Sequence, residues 1–245
     1  MDEKIQLGRD FLKSHWNWEE EAKTDEEKKV PMPPFEDPFD GRQLIALPDP
    51  RAVPLVNRDI VDVFAQRKSC RKLSGGNLSI GELSFILWAT QGVREVKKRI
   101  FRTVPSGGAR HPFETYLYAE RVDGLPEGLY RYIATENSLV PVSQEEGLQR
   151  KLQQSLAGQW FGCALALFWA VNAYRAEWRY AHHSHKIIAL DLGHVGQNGY
   201  LAAEALGIGC CVIGAYIQEE LDALLGVDGD NEFACYAALF GPAKE

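Results

Sequence analysis

The stretch from Lys186 to Leu206, KIIALDLGHVGQNGYLAAEAL, constrains the fold more than any other part of the chain. Its periodicity is helical, yet Gly193, Gly196 and Gly199 recur every third residue, each costing roughly 0.5–1 kcal/mol relative to alanine in a helix interior. Something must offset that cost. Close approach by another backbone is the expected compensation, with Ala189, Ala202 and Ala203 extending the small-residue surface. His194, in the middle of this helix, is expected to be a satisfied buried group rather than a base.

The elements around the helix read clearly. SIGELSFILWATQG (79–92) predicts a helix with a capping box, Ser79 as N-cap and Glu82 three residues on. Its core stripe is Leu83, Ile86, Leu87 and Thr90, and Gly92 stops it. FETYLYA (113–119) is a strand, GLYRYI after a DG turn a second, and SLVPV (138–142) a third. Leu148, Leu152 and Leu156 set the buried face of a further helix, and CALALFWAV (163–171) is a strand covered on both faces. After the long helix come a short strand CCVIGAY, a helix QEELDALLG and a last strand FACYAALFG. Strands and helices are mixed without regular βαβ alternation, so the fold class is α+β.

Residues 1–55 read as an acidic arm lying over a main domain of residues 56–245. The first 30 residues could form a helix with Phe11, Trp16 and Trp18 as its contacts, and VPMPPFEDPF must then run extended because proline fixes φ. The charged N-terminus and the lack of a long apolar run argue against a signal peptide or a membrane span, and a cytoplasmic protein is expected. Five cysteines without a CxxC pair read as buried thiols, and His182, His183 and His185 as surface or interface histidines rather than metal ligands.

Charge is unevenly spread over a chain of net −7. Residues 1–50 hold 7 Lys and Arg against 13 Asp and Glu, whereas Arg67 to Arg110 holds 10 cations against Glu82 and Glu95. A confined basic excess suits a small anionic ligand better than a nucleic acid, which asks for a broad basic face. Within it, RKSCRKLSGG (67–76) gathers Arg67, Lys68, Ser69 and Arg71 before two glycines, the donor set that a phosphate needs. Pro105, Ser106, Gly107 and Gly108 then put bare backbone at a strand's mouth, and the GIGCCVIG segment ends an apolar strand in glycine. Taken singly, each of the three has an ordinary reading as a solvated loop, a turn or a helix cap. No Walker motif, GxGxxG or GxSxG is present.

In their order along the chain, with LSIGELSFILWATQGV, PSGGARHPFETYLY, GLPEGLYRY and LDLGHVGQNGYLAAEALGIG, these segments resemble the nitroreductase-like family of FMN-dependent oxidoreductases, and most of all its SagB-type dehydrogenase branch. The resemblance covers about Asp59 to Pro242. It implies an α+β sandwich with a mixed or antiparallel central sheet, in an intertwined homodimer with two FMN sites at the subunit interface. It assigns Arg67, Lys68, Ser69 and Arg71 to the FMN phosphate and ribityl chain, with Lys244 as a loosely matching C-terminal cation. Pro105, Ser106, Gly107 and Gly108 would lie along the isoalloxazine from the other subunit, while Val212, Ile213 and Gly214 would cover its opposite face. Cys70 and Lys72 are expected to point elsewhere. The implied chemistry is ping-pong hydride transfer through flavin N5, from NAD(P)H or a substrate carbon to a small organic acceptor.

Azoline dehydrogenases of this branch, which work with peptide-modifying partners, use a Lys-Tyr pair for proton abstraction. Arg179-Tyr180 stands at that place here, and a guanidinium is a poor base. Tyr180 is left as the candidate catalytic side chain. Peptide azoline oxidation and a non-catalytic flavin-binding or partner-binding role are the alternative functions. No nucleic acid, membrane or metal is expected.

Overall fold

The computed structural model describes residues 2–14, 16, 23–39 and 41–244. Its first elements are α1 (Glu3–Leu12), β1 (Ile45–Ala46), α2 (Ile60–Gln66), β2 (Leu78–Ser79) and α3 (Ile80–Gln91). A hairpin of β3 (Val93–Val96) and β4 (Ile100–Arg102) follows, then β5 (Phe113–Ala119), β6 (Val122–Asp123), β7 (Gly128–Ile133) and β8 (Ser138–Ser143). The chain continues through α4 (Leu148–Ser155), β9 (Leu165–Asn172), α5 (Tyr174–Tyr180) and the long α6 (Ser184–Leu206). It ends with β10 (Gly209–Ile213), α7 (Gln218–Leu225) and β11 (Glu232–Gly241).

Seven strands form one sheet in the order β1-β8-β7-β5-β9-β11-β10, antiparallel at every pairing. Strand periodicity sorts the core onto its two faces. Leu117, Trp169 and Phe240 pack with Leu83, Ile86 and Leu87 of α3 and Val195, Ala203 and Leu206 of α6. Their neighbours Tyr118, Phe168 and Leu239 pack on the other side with Leu148, Leu152, Leu221 and Leu225 of α4 and α7. The result is a three-layer sandwich whose interior strand β9 is covered on both faces, as its unbroken apolar run requires. The expected capping box on α3 is present, with Ser79 Oγ accepting from the Glu82 amide and the Glu82 carboxylate accepting from the Ser79 amide. Such a cap is worth about 1 kcal/mol.

Three expectations are corrected. Among the described residues of the N-terminal stretch, helix is confined to Glu3–Leu12, with Phe11 46% exposed, while Trp16 stacks on His183 and Trp18 lies outside the described residues. Gly196 and Gly199 are approached by rings, not by a backbone: a Cβ on Gly196 would lie 2.7 Å from Tyr236 Cε1, and one on Gly199 3.3 Å from Phe240 Cζ. Gly193 has nothing within 4 Å, because it sits on the open face of α6 with Leu190, and His194 is exposed on that face instead of buried.

The proline-containing segment is tied down by charge. Arg175, 1% exposed, donates to Asp37 at 2.7 Å and forms an ion pair with Glu114 at 2.7 Å, and Arg131 donates to the Pro38 carbonyl. Glu36 accepts from the Ala134 amide and the Thr135 hydroxyl. Buried charges survive only when paired, so these contacts bind residues 35–38 to the sheet as part of one packed unit.

Candidate active site

Two constellations sit at opposite ends of α6. At its C-terminal half, residues 67–74 lie against β10 and the chain's last residues. The Cys70 amide donates to the Cys210 carbonyl (2.8 Å), Ser74 to Pro242 (2.8 Å) and Lys244 to Lys72 (2.9 Å), with Leu73 bridged to Ala243. This approach needs Gly209, since a Cβ there would lie 2.5 Å from Leu73 Cδ2 and 2.8 Å from Cys70 Sγ. The Cys70 side chain is thereby turned onto β10.

Tyr200 of α6 organises this end. Its hydroxyl is 2.7 Å from Ser69 Oγ and accepts from the Val212 amide at 3.2 Å, and the Arg67 guanidinium lies over its ring at 5.2 Å. Arg71 is close enough to Cys211 to oppose the upward push that burial gives that thiol. Among the described residues no carboxylate lies within 4.0 Å of Arg67, Lys68, Arg71, Lys72 or Lys244, and no intramolecular ion pair accounts for the positive charge gathered there. Along the outer edge of β10, the Cys210 carbonyl and Val212 amide face Cys70 and Tyr200. Gly214, the residue after the strand, is exposed.

The second constellation is built on the Pro105–Gly108 loop, at the N-terminal half of α6. Asp191 accepts from Ser106 Oγ at 2.6 Å and from the Gly107 amide at 3.1 Å, and Ser106 Oγ in turn accepts from the His111 amide at 2.9 Å. Burial raises the Asp191 carboxyl above its ordinary range, and these two donors hold it down. Gly108 (φ 57°), Ala109 (φ 51°) and His111 (φ 45°) are all left-handed, a concentration of backbone strain that surrounding contacts must sustain. Tyr180 and Arg179 wall this turn: a Cβ on Gly108 would lie 2.6 Å from Tyr180 Oη and from Arg179 Cδ. Desolvation of the buried His111, with Arg102 and Arg110 beside it adding to the effect, pushes its imidazole down to about 3.

The structure thus sets Arg67 and Ser69 against Tyr200, whose hydroxyl also meets the Val212 amide, with Arg71 near Cys211 and Lys244 beside Lys72. Lys68 and Gly214 are exposed and Ile213 packs into the core with Leu221 and Leu225, while Tyr180 lies separately on Gly107 and Gly108 of the Pro105–Gly108 loop. Within one chain the two groups do not meet. Tyr200 and Asp191, their respective anchors, are nine residues apart on α6, about 14 Å along the axis. Sequence reasoning missed both anchors. Asp191 had a signal, an acid on the Ile188–Asp191–Val195 stripe where a buried apolar residue would be expected.

Residues 64–241 match the family described as the nitroreductase family. The chain is 34% identical over 184 residues to MJ1384 of Methanocaldococcus jannaschii, a protein bearing a nitroreductase name, covering 75% of this chain and 89% of that one. It is 23% identical over 150 residues to the microcin B17-processing protein McbC of Escherichia coli, covering 59% of this chain and 55% of the relative. It is 30% identical over 115 residues to the trifolitoxin-processing protein TfxB of Rhizobium leguminosarum bv. trifolii, covering 44% and 30%. Among solved structures, a Ralstonia eutropha protein described as a nitroreductase superposes with a TM-score of 0.68 at 24% identity, covering 86% of this chain and 93% of that one. A chain of the E. coli microcin synthetase McbBCD complex with truncated pro-MccB17 bound gives 0.65 at 20% identity, covering 84% and 80%.

Proposed function

The chain belongs to the nitroreductase family, and from that premise we propose that it is an FMN-dependent oxidoreductase acting as a homodimer in the cytoplasm. The observation that carries the reading is the cluster of Arg67, Lys68, Arg71 and Lys244, cations without carboxylate partners among the described residues, beside the Ser69 and Tyr200 hydroxyls. That donor set fits a phosphate monoester. Bound FMN would supply a two-electron carrier, taking hydride from NAD(P)H or a substrate carbon and giving it to a small organic acceptor in ping-pong fashion.

The chain's own residues then have separate tasks. Arg67, Lys68, Arg71 and Lys244 neutralise the phosphate, and Ser69 donates to it. Val212, Ile213 and Gly214 lay an apolar strand edge, with free backbone polar groups at its end, along one face of the ring. Pro105, Ser106, Gly107 and Gly108 of the partner subunit supply bare backbone at the other face, which the 14 Å separation of the two constellations within one chain favours. Tyr180 travels with that loop and would donate a proton to the acceptor or orient it. Support for the dimer comes from apolar surface left open on the single chain: Val56, Ile60, Val61, Phe64 and Leu190 are 57–79% exposed. No helix among the described residues is long and apolar enough to cross a membrane.

The visible spectrum of the purified protein, with titrations of FMN and riboflavin, tests this reading. A yellow protein that binds FMN far more tightly than riboflavin, and is bleached by NADH or NADPH and reoxidised by a quinone or nitroaromatic, supports it. A colourless protein that fails to take up FMN refutes it, and flavin binding without turnover leaves the non-catalytic reading. The likeness to McbC and TfxB favours a second reading, oxidation of peptide azolines alongside a modifying partner. Arg179 stands where that chemistry asks for a base, so this reading rests on Tyr180 and would require Tyr180→Phe to abolish peptide oxidation.

A further inference from the structure

We propose that Glu26 is a positioning residue, whose carboxylate holds Arg99 and Arg179 as a clamp on the Gly107–His111 turn beside Tyr180. The proposal rests on the reading above, in which that turn lines the reaction centre.

Glu26 lies in a short turn whose two flanks are fixed to α5. Its own amide donates to the Trp178 carbonyl at 2.9 Å, and Trp178 Nε1 donates to the Val30 carbonyl at 2.9 Å. Between those ties Lys28 and Val30 donate to Thr24 and Asp25, and Tyr174 Oη donates to the Asp25 carboxylate at 3.0 Å. The carboxylate is therefore delivered to a set place. One oxygen pairs with Arg179 Nη1, and the other lies 3.3 Å from Arg99 Nη2.

Both arginines reach the strained turn. Arg99 Nη1 donates to the Gly108 carbonyl at 3.0 Å, and the Arg179 side chain lies where any Cβ on Gly108 would have to go. Asp191 fixes the turn from inside through Ser106 and Gly107; the Glu26 clamp fixes it from outside through Gly108. Left-handed Ala109 and His111 persist only if the surrounding contacts over-determine them, and this pair of anchors does so. The clamp also solves a charge problem. Arg99 and Arg179 both face Arg110, and among the described residues Glu26 is the acid that bridges the first two. Losing its charge leaves guanidinium groups facing one another across the turn, and the energy saved by separating them opens Gly108 and shifts the Tyr180 hydroxyl.

The test compares the full chain with Glu26→Gln, which keeps the size and removes the charge, and with Glu145→Gln, which breaks an exposed pair elsewhere. Amide hydrogen exchange over residues 104–111 is expected to quicken about tenfold in Glu26→Gln and to stay unchanged in Glu145→Gln, with β9 protected in both. With flavin loaded, kcat for quinone reduction should fall about tenfold while KM for NADH or NADPH stays within twofold, a split that general loss of fold would not produce. Arg99→Gln should quicken the same amides, the double variant should be no worse than the poorer single one, and Arg99→Gln carries the test if Glu26→Gln does not fold. Unchanged exchange over 104–111 in the variants overturns the clamp. Quickened exchange with unchanged kcat overturns its positioning role. A protein that takes up no FMN overturns the functional reading and the positioning role with it, while the exchange rates still decide the clamp.

Discussion

Replacing Gly108 by alanine measures how rigid the turn beside Tyr180 is. Two costs add. Alanine at φ 57° loses about 1 kcal/mol to the left-handed conformation. Its Cβ would then stand 2.6 Å from Arg179 Cδ, Arg179 Nε and Tyr180 Oη, so Arg179 must leave its place and give up Glu26. That pair is about a third exposed and screened, so its loss adds about 1 kcal/mol at most. Gly75 supplies the control. It has the same hand (φ 77°) with nothing within 4 Å, so Gly75→Ala should cost only the first part. Both substitutions stiffen the unfolded chain alike, and the difference between them isolates the collision. With a urea slope of about 3 kcal/mol/M, the midpoint should fall by about 0.7 M for Gly108→Ala and about 0.3 M for Gly75→Ala, at one protein concentration and one flavin loading. Equal shifts would show that Arg179 yields freely and that the turn is not clamped.

Further outcomes follow from burial and charge. Burial, with Asp37 and Glu114 nearby, raises the Glu232 carboxyl to about 7. The folded chain then keeps a proton that the unfolded chain has released, so its stability falls as pH rises from about 4.5 to 7, by up to about 1.4 kcal/mol per unit. Glu232→Gln should remove that slope in urea titrations across the window; an unchanged difference from wild type at pH 5 and pH 8 would count against it. Deleting residues 1–14 should leave stability within about 0.5 kcal/mol, because α1 buries no residue, whereas deleting 1–39 strips Asp37 from buried Arg175 and should lower Tm by about 10 °C or more. Gly193→Ala fills open space on the single chain and should gain helix propensity there. If a second copy packs on that face, as proposed, sedimentation will show weaker dimers; intact dimers with a raised Tm would place the interface elsewhere.

What could be read in advance was local. The Ser79–Glu82 capping box, the Leu148–Leu152–Leu156 face and the buried run of β9 each depend on residues a few positions apart, and each formed as its pattern dictates. The cationic run at 67–71 was legible as composition, but its lack of carboxylate partners is a property of what packs beside it. Tertiary structure alone decided which of three equally spaced glycines faces a ring and which faces open space, because that depends on the rotation of α6 against β11. It alone brought Glu26 to Arg99 and Arg179, 73 and 153 residues away, and Asp191 to Ser106 across 85. The sequence by itself determined the elements and the kinds of chemical group the chain could present, since propensity and periodicity act over a few residues. Which groups meet, and which charges are left unpaired for a ligand, was decided by packing between distant segments, where burial sets the strength of every polar contact.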